Sequence, residues 1–154
     1  MKNEILIILG SKSDLPVAED AVKFLNSNSI PYKMEIASAH RTPNKLNAIV
    51  KNAERDGIKI IIAVAGYAAH LPGVIASKTI IPVIGVPVAS SPLGGIDALF
   101  SIVQMPPGIP VATMGIGKSG VKNAVLYAMQ ILGIQNETYA DIMKRYREGF
   151  GDIN

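Results

Sequence analysis

The sequence predicts a three-layer α/β/α fold around a doubly wound, mainly parallel five-stranded sheet of the flavodoxin-like type. The first observation behind this prediction is that short, continuous apolar runs alternate with segments of helical periodicity throughout the 154 residues. Continuous apolar runs are typical of strands buried on both faces, as in parallel sheets covered by helices. The second observation is the strict order of strand, then helix, which is typical of doubly wound sheets. No linker or repeat interrupts this order, so we expect a single domain over residues 1–154.

The first two strand–helix units have clear boundaries. The first strand is predicted at 5–9, where five aliphatic residues end at a glycine. Ser13 or Asp14 is a natural N-cap for the amphipathic helix that follows. The second strand is predicted at 32–37. Its helix opens with a Thr-Pro pair and is closed by Gly57, since glycine is favoured just after a helix end.

The next two units contain almost no charged residues. We predict the third strand at 59–65, a short helix at 71–77, the fourth strand at 82–86, a helix ending at Val103 and the fifth strand at 110–114. Two glycines precede the helix that ends at Val103, and prolines flank the strands. These glycines and prolines interrupt the apolar stretches, so no span of about 20 apolar residues is left to cross a membrane.

Two helices complete the chain. The segment 119–132 has a strongly helical pattern, and a more polar helix is predicted at about 137–149. We expect this last helix to pack on a neighbouring subunit.

Composition excludes several classes of function. The chain has no cysteine, which excludes disulfides, thiolate nucleophiles and Cys-ligated metals. The net charge of +3 comes from scattered lysines and arginines, and aromatic residues make up only 5%, so nucleic acid is not expected as a partner. The N-terminus lacks the pattern of a signal peptide. We therefore expect a cytoplasmic protein with a small anionic ligand and no membrane partner.

The middle of the chain is unusually poor in charge. Between Lys59 and Lys118 the only charged residues are Lys78 and Asp97. Buried strands account for part of this stretch, but its short helices offer too little polar surface for a monomer. Large apolar surfaces usually mark an interface, so the sequence predicts self-association.

Candidate site residues follow from the fold, because ligands of open parallel sheets bind at the carboxyl ends of the strands. The first such loop contains Ser11, Ser13 and Asp14, and it leads into a helix N-terminus, which favours an anion such as phosphate. The Asp14 carboxylate would repel a phosphate but could accept hydrogen bonds from sugar hydroxyls. The alternative is that this loop is a simple helix cap. It lacks the glycine fingerprint of dinucleotide sites, and the segment 115–119 lacks the first glycine of a P-loop.

Two further loops contain the only two histidines. His40 stands beside Arg41, whose planar guanidinium suits phosphate, and histidine is the side chain that ordinarily titrates near neutral pH. His70 lies in a loop of small residues that would let the backbone approach a ligand. For both histidines, a purely structural role in capping or packing is the alternative.

Taken together, these loops resemble the PurE family of purine biosynthesis. The matching segments, in chain order, are GSKSD (10–14), SAHRTP (38–43), AAHLPG (68–73), PVIGVPV (82–88), SIVQMPPGIPVATMGIG (101–117) and KNAVLYAMQIL (122–132). They extend through nearly the whole chain. SAHRTP and AAHLPG resemble the bacterial-type branch, whose members are N5-carboxyaminoimidazole ribonucleotide mutases.

The resemblance implies a reaction and a site. It implies transfer of a carboxyl group from the exocyclic nitrogen of an imidazole ribonucleotide to C4 through trapped CO2, with no metal or other cofactor, in a homo-octamer whose active sites lie at subunit junctions. His40 would be the catalytic proton shuttle. The residues implied in substrate binding are Ser11, Ser13 and Arg41 at the phosphate, Asp14 at the ribose, Ser38 and His70 near the ring, and Gly66, Ala68 and Leu71, with Ala69 and Pro72, around a closed, dry CO2 pocket.

The sequence departs from the family pattern at three positions. The family usually has glycine where Val64 and Tyr67 stand, and an aromatic residue where Leu15 stands. A tyrosine at position 67 would narrow the pocket or add a hydroxyl group to it.

Three alternatives to the mutase remain at this point. The first is direct carboxylation of aminoimidazole ribonucleotide with CO2. The second is a flavodoxin-like module that binds a phosphate ligand, although the candidate loops lack aromatic cover for a flavin and clustered acidic residues for a phospho-acceptor. The third is a phosphosugar isomerase that uses the same edge of the sheet.

Overall fold

The computed structural model describes residues 3–151. The five strands are β1 (Ile5–Leu9), β2 (Tyr32–Ile36), β3 (Ile60–Gly66), β4 (Val83–Val88) and β5 (Ala112–Thr113). The six α-helices are α1 (Leu15–Ser27), α2 (Pro43–Ala53), α3 (Leu71–Ala76), α4 (Ile96–Val103), α5 (Lys118–Gly133) and α6 (Glu137–Glu148). A single 3-10 turn, Lys12–Asp14, precedes α1.

The strands form one sheet in the order β2-β1-β3-β4-β5, and every neighbouring pair is parallel. This order is the flavodoxin-like one. The predicted fold class is confirmed, and among the described residues the sheet is parallel throughout.

Each face of the sheet has its own hydrophobic core, because successive strand residues point to opposite faces. Ile5, Ile7 and Leu9 face α1, α5 and α6. Leu6 and Ile8 face α2, α3 and α4. All five residues of β1, an inner strand of the sheet, are buried, which explains why this strand is a continuous aliphatic run.

Several details differ from the sequence prediction, and the ends of β3 and β4 lie one or two residues later than predicted. The fifth strand is only two residues long, because Pro110 lacks a backbone N–H and only 112–113 pair with β4. Asp14 occupies the N-cap of α1 without a side-chain capping bond, and Ser11 caps the preceding 3-10 turn instead. Helix α2 ends at Ala53, four residues before Gly57, whose φ of +82° lets the chain reverse after the helix.

Helix α6 packs on its own chain. Its Tyr139 is fully buried in the core shared with α1 and α5, and the phenol donates a 2.8 Å hydrogen bond to Glu4 Oε2. Contact of its outer face with a neighbouring subunit stays a prediction. None of the helices within residues 3–151 has the length and apolar character needed to span a membrane.

Candidate active site

The candidate site lies where the strand order reverses. Strand β2 lies on one side of β1 and β3 on the other, so the loops after β1 and β3 separate and leave a crevice at the carboxyl edge of the sheet. A cavity of about 440 Å³ occupies this crevice. It is lined by eleven of the twelve site residues named in the sequence analysis, Pro72 being the exception: Ser11, Ser13, Asp14, Ser38, His40, Arg41, Gly66, Ala68, Ala69, His70 and Leu71.

The loop after β1 presents hydroxyl groups beside a buried acid. The Ser13 hydroxyl donates to Ser11 Oγ at 2.9 Å, and the Ser13 backbone N–H points to the same oxygen at 3.3 Å. Asp14 is only 4% exposed. Burial raises the pKa of Asp14 above its ordinary value of 3.8, while the Ser11 backbone N–H and the Arg41 charge act in the opposite direction. This side of the cavity therefore combines hydroxyl groups with a buried carboxyl group.

The loop after β2 is held by a network of short-range hydrogen bonds. The Ser38 backbone N–H donates to Thr42 Oγ1 at 2.9 Å, and the Thr42 backbone N–H donates to the Ser38 carbonyl at 3.1 Å. Arg41 reaches across to the loop after β1, where its Nη2 donates to the Gly10 carbonyl at 3.1 Å. The guanidinium is therefore held against the loop that carries Ser11 and Ser13.

The loop after β3 brings the two histidines together. The Ala69 and His70 backbone N–H groups donate to the carbonyls two residues earlier, at 2.9 and 2.7 Å, which makes a very tight turn before α3. His70 Nδ1 then lies 2.7 Å from His40 Nε2. Each histidine follows a different strand, and β1 lies between those strands.

Several lining residues were not predicted. Gly10, Ala39 and Ala65 are small neighbours of predicted residues, whereas Ser90 comes from the separate loop after β4. Its position just beyond the carboxyl end of a predicted strand is the signal that would have found it. A Cβ on Gly66 would lie 2.7 Å from Ser90 Cβ and 3.2 Å from the Val88 carbonyl oxygen, so a side chain at this position would force the loop after β4 to shift.

The expected closed, dry pocket is not formed by one chain. His40, Arg41 and His70 are exposed at the cavity mouth. Pro72 does not line the cavity, because it is buried against Gly85 of β4. Within residues 3–151, no three histidine, aspartate or glutamate side chains come together as metal ligands.

Comparison with known proteins shows that the chain is similar to one family. The model of the family described as AIR carboxylase matches residues 4–152. An N5-carboxyaminoimidazole ribonucleotide mutase from Pyrococcus abyssi is 56% identical over 92% of this chain and 80% of its own length. The mutase of the same name from Escherichia coli K12 is 47% identical over 96% of this chain and 88% of its own length.

Solved structures agree with this sequence comparison. Treponema denticola PurE superposes with a TM-score of 0.84 at 32% identity, over 94% of this chain and 89% of that one. A variant of Treponema denticola PurE2 gives a TM-score of 0.85 at 31% identity, over 97% and 91% of the two chains.

Proposed function

The chain belongs to the AIR carboxylase family, and from that premise we propose that it is an N5-carboxyaminoimidazole ribonucleotide mutase of purine biosynthesis, working in the cytoplasm. The observation that carries this proposal is the composition of the cavity. Hydroxyl groups and a guanidinium line one side, a histidine pair lies at the mouth, and small apolar residues line the rest.

The ribonucleotide end of the substrate binds to the loops after β1 and β2. Ser11, Ser13 and Arg41 hold the phosphate, since a guanidinium fork and hydroxyl donors match its oxygens. Arg41 is well suited to this role because its hydrogen bond to the Gly10 carbonyl already holds it against the loop that carries both serines. Asp14 accepts hydrogen bonds from the ribose hydroxyls.

The imidazole end of the substrate lies toward the histidines. Protonated His40 donates a proton to the exocyclic nitrogen as the bond from that nitrogen to the carboxyl carbon breaks and CO2 leaves. C4 then forms a bond to the CO2 carbon, and neutral His40 removes the C4 proton, which restores both the aromatic ring and the original protonation state. A histidine suits both steps, because its ordinary titration range lies near the operating pH. Ser38 and His70 lie beside the ring.

The released CO2 must stay beside C4 between the two steps. Gly66, Ala68, Ala69 and Leu71 provide a small apolar wall for it. A chamber that excludes water prevents loss of the intermediate. One chain leaves this chamber open to solvent, so its closure requires the substrate, a neighbouring subunit or both.

A homo-octamer with active sites at subunit junctions fits the apolar surface of α4. Ile96, Phe100 and Val103 form an i, i+4, i+7 stripe, and these side chains are 47 to 58% exposed. Exposed apolar stripes of this kind usually mark an interface. One oxygen of Asp97, on the same helix, is buried without a hydrogen-bond partner within the described chain.

The test of the proposed function uses the carboxyamino substrate in buffer freed of bicarbonate. A mutase converts it to the C4-carboxylated product without added CO2. A direct carboxylase instead needs aminoimidazole ribonucleotide and bicarbonate. Absence of product from the carboxyamino substrate, with product formed from the other pair, would overturn the proposal.

A further inference from the structure

The cavity rim carries a strained and exposed aromatic residue. Tyr67, the first residue after β3, lines the cavity, is 61% exposed, and has a φ of +53°. Among residues 3–151, the only other non-glycine residue with a positive φ is Ser29, at +55°, in the turn after α1 and away from the cavity. An aromatic residue in this conformation is unfavourable and persists only where its surroundings impose it.

The tight turn accounts for the backbone conformation of Tyr67, but it does not require a tyrosine side chain at this position. The Tyr67 carbonyl accepts from the Ala69 backbone N–H at 2.9 Å, and this turn leads directly to His70. A glycine at this position would make the same turn without strain. Most of the phenol ring is in solvent, so its burial in the free chain does little to offset the strained backbone. Contacts within one chain therefore do not account for a tyrosine at this position.

The cavity lacks a cover on this side. Its walls next to the turn are backbone and small side chains, namely Gly66, Ala68 and Ala69. A flat heterocycle that binds among them would have little apolar surface packed against its outer face. An aromatic ring at the rim fits this gap, because aromatic side chains stack on flat heterocycles.

We propose that Tyr67 is a specificity-determining residue whose ring packs over the imidazole of the bound substrate and closes the CO2 chamber. This inference rests on the proposed function, and it identifies Tyr67 as the residue that covers the proposed active site. When the cover is absent, the nitrogen-to-carboxyl bond still breaks and the nitrogen still gains a proton. CO2 then escapes into solvent before C4 attacks it, leaving aminoimidazole ribonucleotide as the product.

The experiment compares variants at position 67 by two measurements. Tyr67→Phe keeps the ring, whereas Tyr67→Asn removes it but retains a residue that tolerates positive φ. Ser29→Gly is the matched control, because it relieves the same backbone strain away from the cavity. The first measurement is the ratio of decarboxylated to C4-carboxylated product in bicarbonate-free buffer, corrected for decomposition without enzyme. The second is the calorimetric affinity for aminoimidazole ribonucleotide.

Loss of the ring is expected to weaken binding about ten-fold, the order of one base–aromatic stack. Tyr67→Asn should also raise the share of decarboxylated product. Tyr67→Phe, which keeps the ring, should show much smaller changes in affinity and product ratio than Tyr67→Asn, and Ser29→Gly, which lies away from the cavity, should behave as the wild type. Wild-type affinity and wild-type product ratio in Tyr67→Asn would overturn the inference. If the wild type binds the ribonucleotide but forms no carboxylated product, the proposed function fails. In that case the affinities of the wild type and of Tyr67→Asn for aminoimidazole ribonucleotide still show whether the Tyr67 ring contacts this ligand.

Discussion

His40 Nε2 lies 2.7 Å from His70 Nδ1, and the two rings meet edge to face at 75°. At this distance one nitrogen donates a proton and the other accepts it, so the pair shares one hydrogen between the facing atoms. His70 thus holds the ring of His40 in one orientation at the cavity mouth.

Replacement of His40 by asparagine should remove turnover without unfolding the chain. The side chain is exposed, so little packing is lost, while the proton shuttle is gone. Loss of a general acid–base group lowers kcat by about 10² to 10⁴-fold. Circular dichroism and steady-state kinetics on the same sample check this expectation. A variant with a near-wild-type rate would refute the role of His40.

Two variants of His70 should have different effects on the rate. Asparagine places a polar atom near the position of Nδ1, whereas alanine leaves His40 Nε2 without this partner. Because one hydrogen bond contributes about 0.5 to 1.5 kcal/mol, we expect His70→Ala to lower kcat up to about ten-fold. His70→Asn should recover most of that loss, with KM little changed in both. Equal rates for the two variants would show that the hydrogen bond does not position His40.

Replacement of Asp14 by asparagine should stabilise the fold at neutral pH while weakening ribose binding. Burial raises the pKa of Asp14, so the folded state holds this proton more tightly than the unfolded state does. Stability then falls as pH rises from about 3.8 through the raised pKa, because the buried charge is unfavourable. Thermal unfolding of both proteins between pH 3 and 8 should give midpoints that converge at low pH. A variant less stable than the wild type at pH 7 would contradict this.

The buried phenol of Tyr139 is expected to contribute to stability through Glu4. Tyr139→Phe keeps the ring in the core but removes the donor to Glu4 Oε2, at a cost of about 1 to 2 kcal/mol. Urea unfolding at fixed protein concentration measures the difference. Tyr127→Phe is the control, since Tyr127 is 40% exposed. If the two variants lose equal stability, the bond to Glu4 contributes nothing specific.

A polar residue in the stripe on α4 should break the assembly. The wild type is expected to scatter light as an octamer at micromolar concentration, and Phe100→Ser as smaller species, because Phe100 is 58% exposed in one chain. Ile134→Ser, an equally polar change at an 81% exposed position outside the stripe, should leave the octamer intact. A monomeric wild type would contradict the proposed assembly.

Much of the architecture could be predicted from the sequence, because the buried positions of a strand or helix have to carry apolar residues. A strand covered on both faces has to be apolar at every position, so 5–9 and 60–65 are recognisable as strands without any partner. The fifth strand was predicted too long, because an apolar run does not indicate which of its residues pair with β4. Asp14 takes the predicted N-cap position of α1, but its side chain makes no capping bond, and Ser11 caps the 3-10 turn that precedes the helix.

The site residues could be located by strand ends, but their mutual contacts could not. Nothing local to His40 or His70 indicates that they share a hydrogen, since β1 separates the strands that carry them. Ser90 joins the cavity only because β4 lies next to β3, which is a property of sheet order. The conformation of Tyr67 is likewise set by the turn that follows it.

Gly66 and Tyr67 are adjacent, yet they limit mutation in opposite ways. A Cβ on Gly66 would collide with Ser90, while its backbone has no special conformation. Tyr67 has an unfavourable backbone but extends into open space. Position 66 is thus fixed by the volume of a residue in the loop after β4. Position 67 can accept a side chain whose contacts offset the backbone strain. Changes that adapt the pocket to its ligand can therefore accumulate at the second position and not at the first.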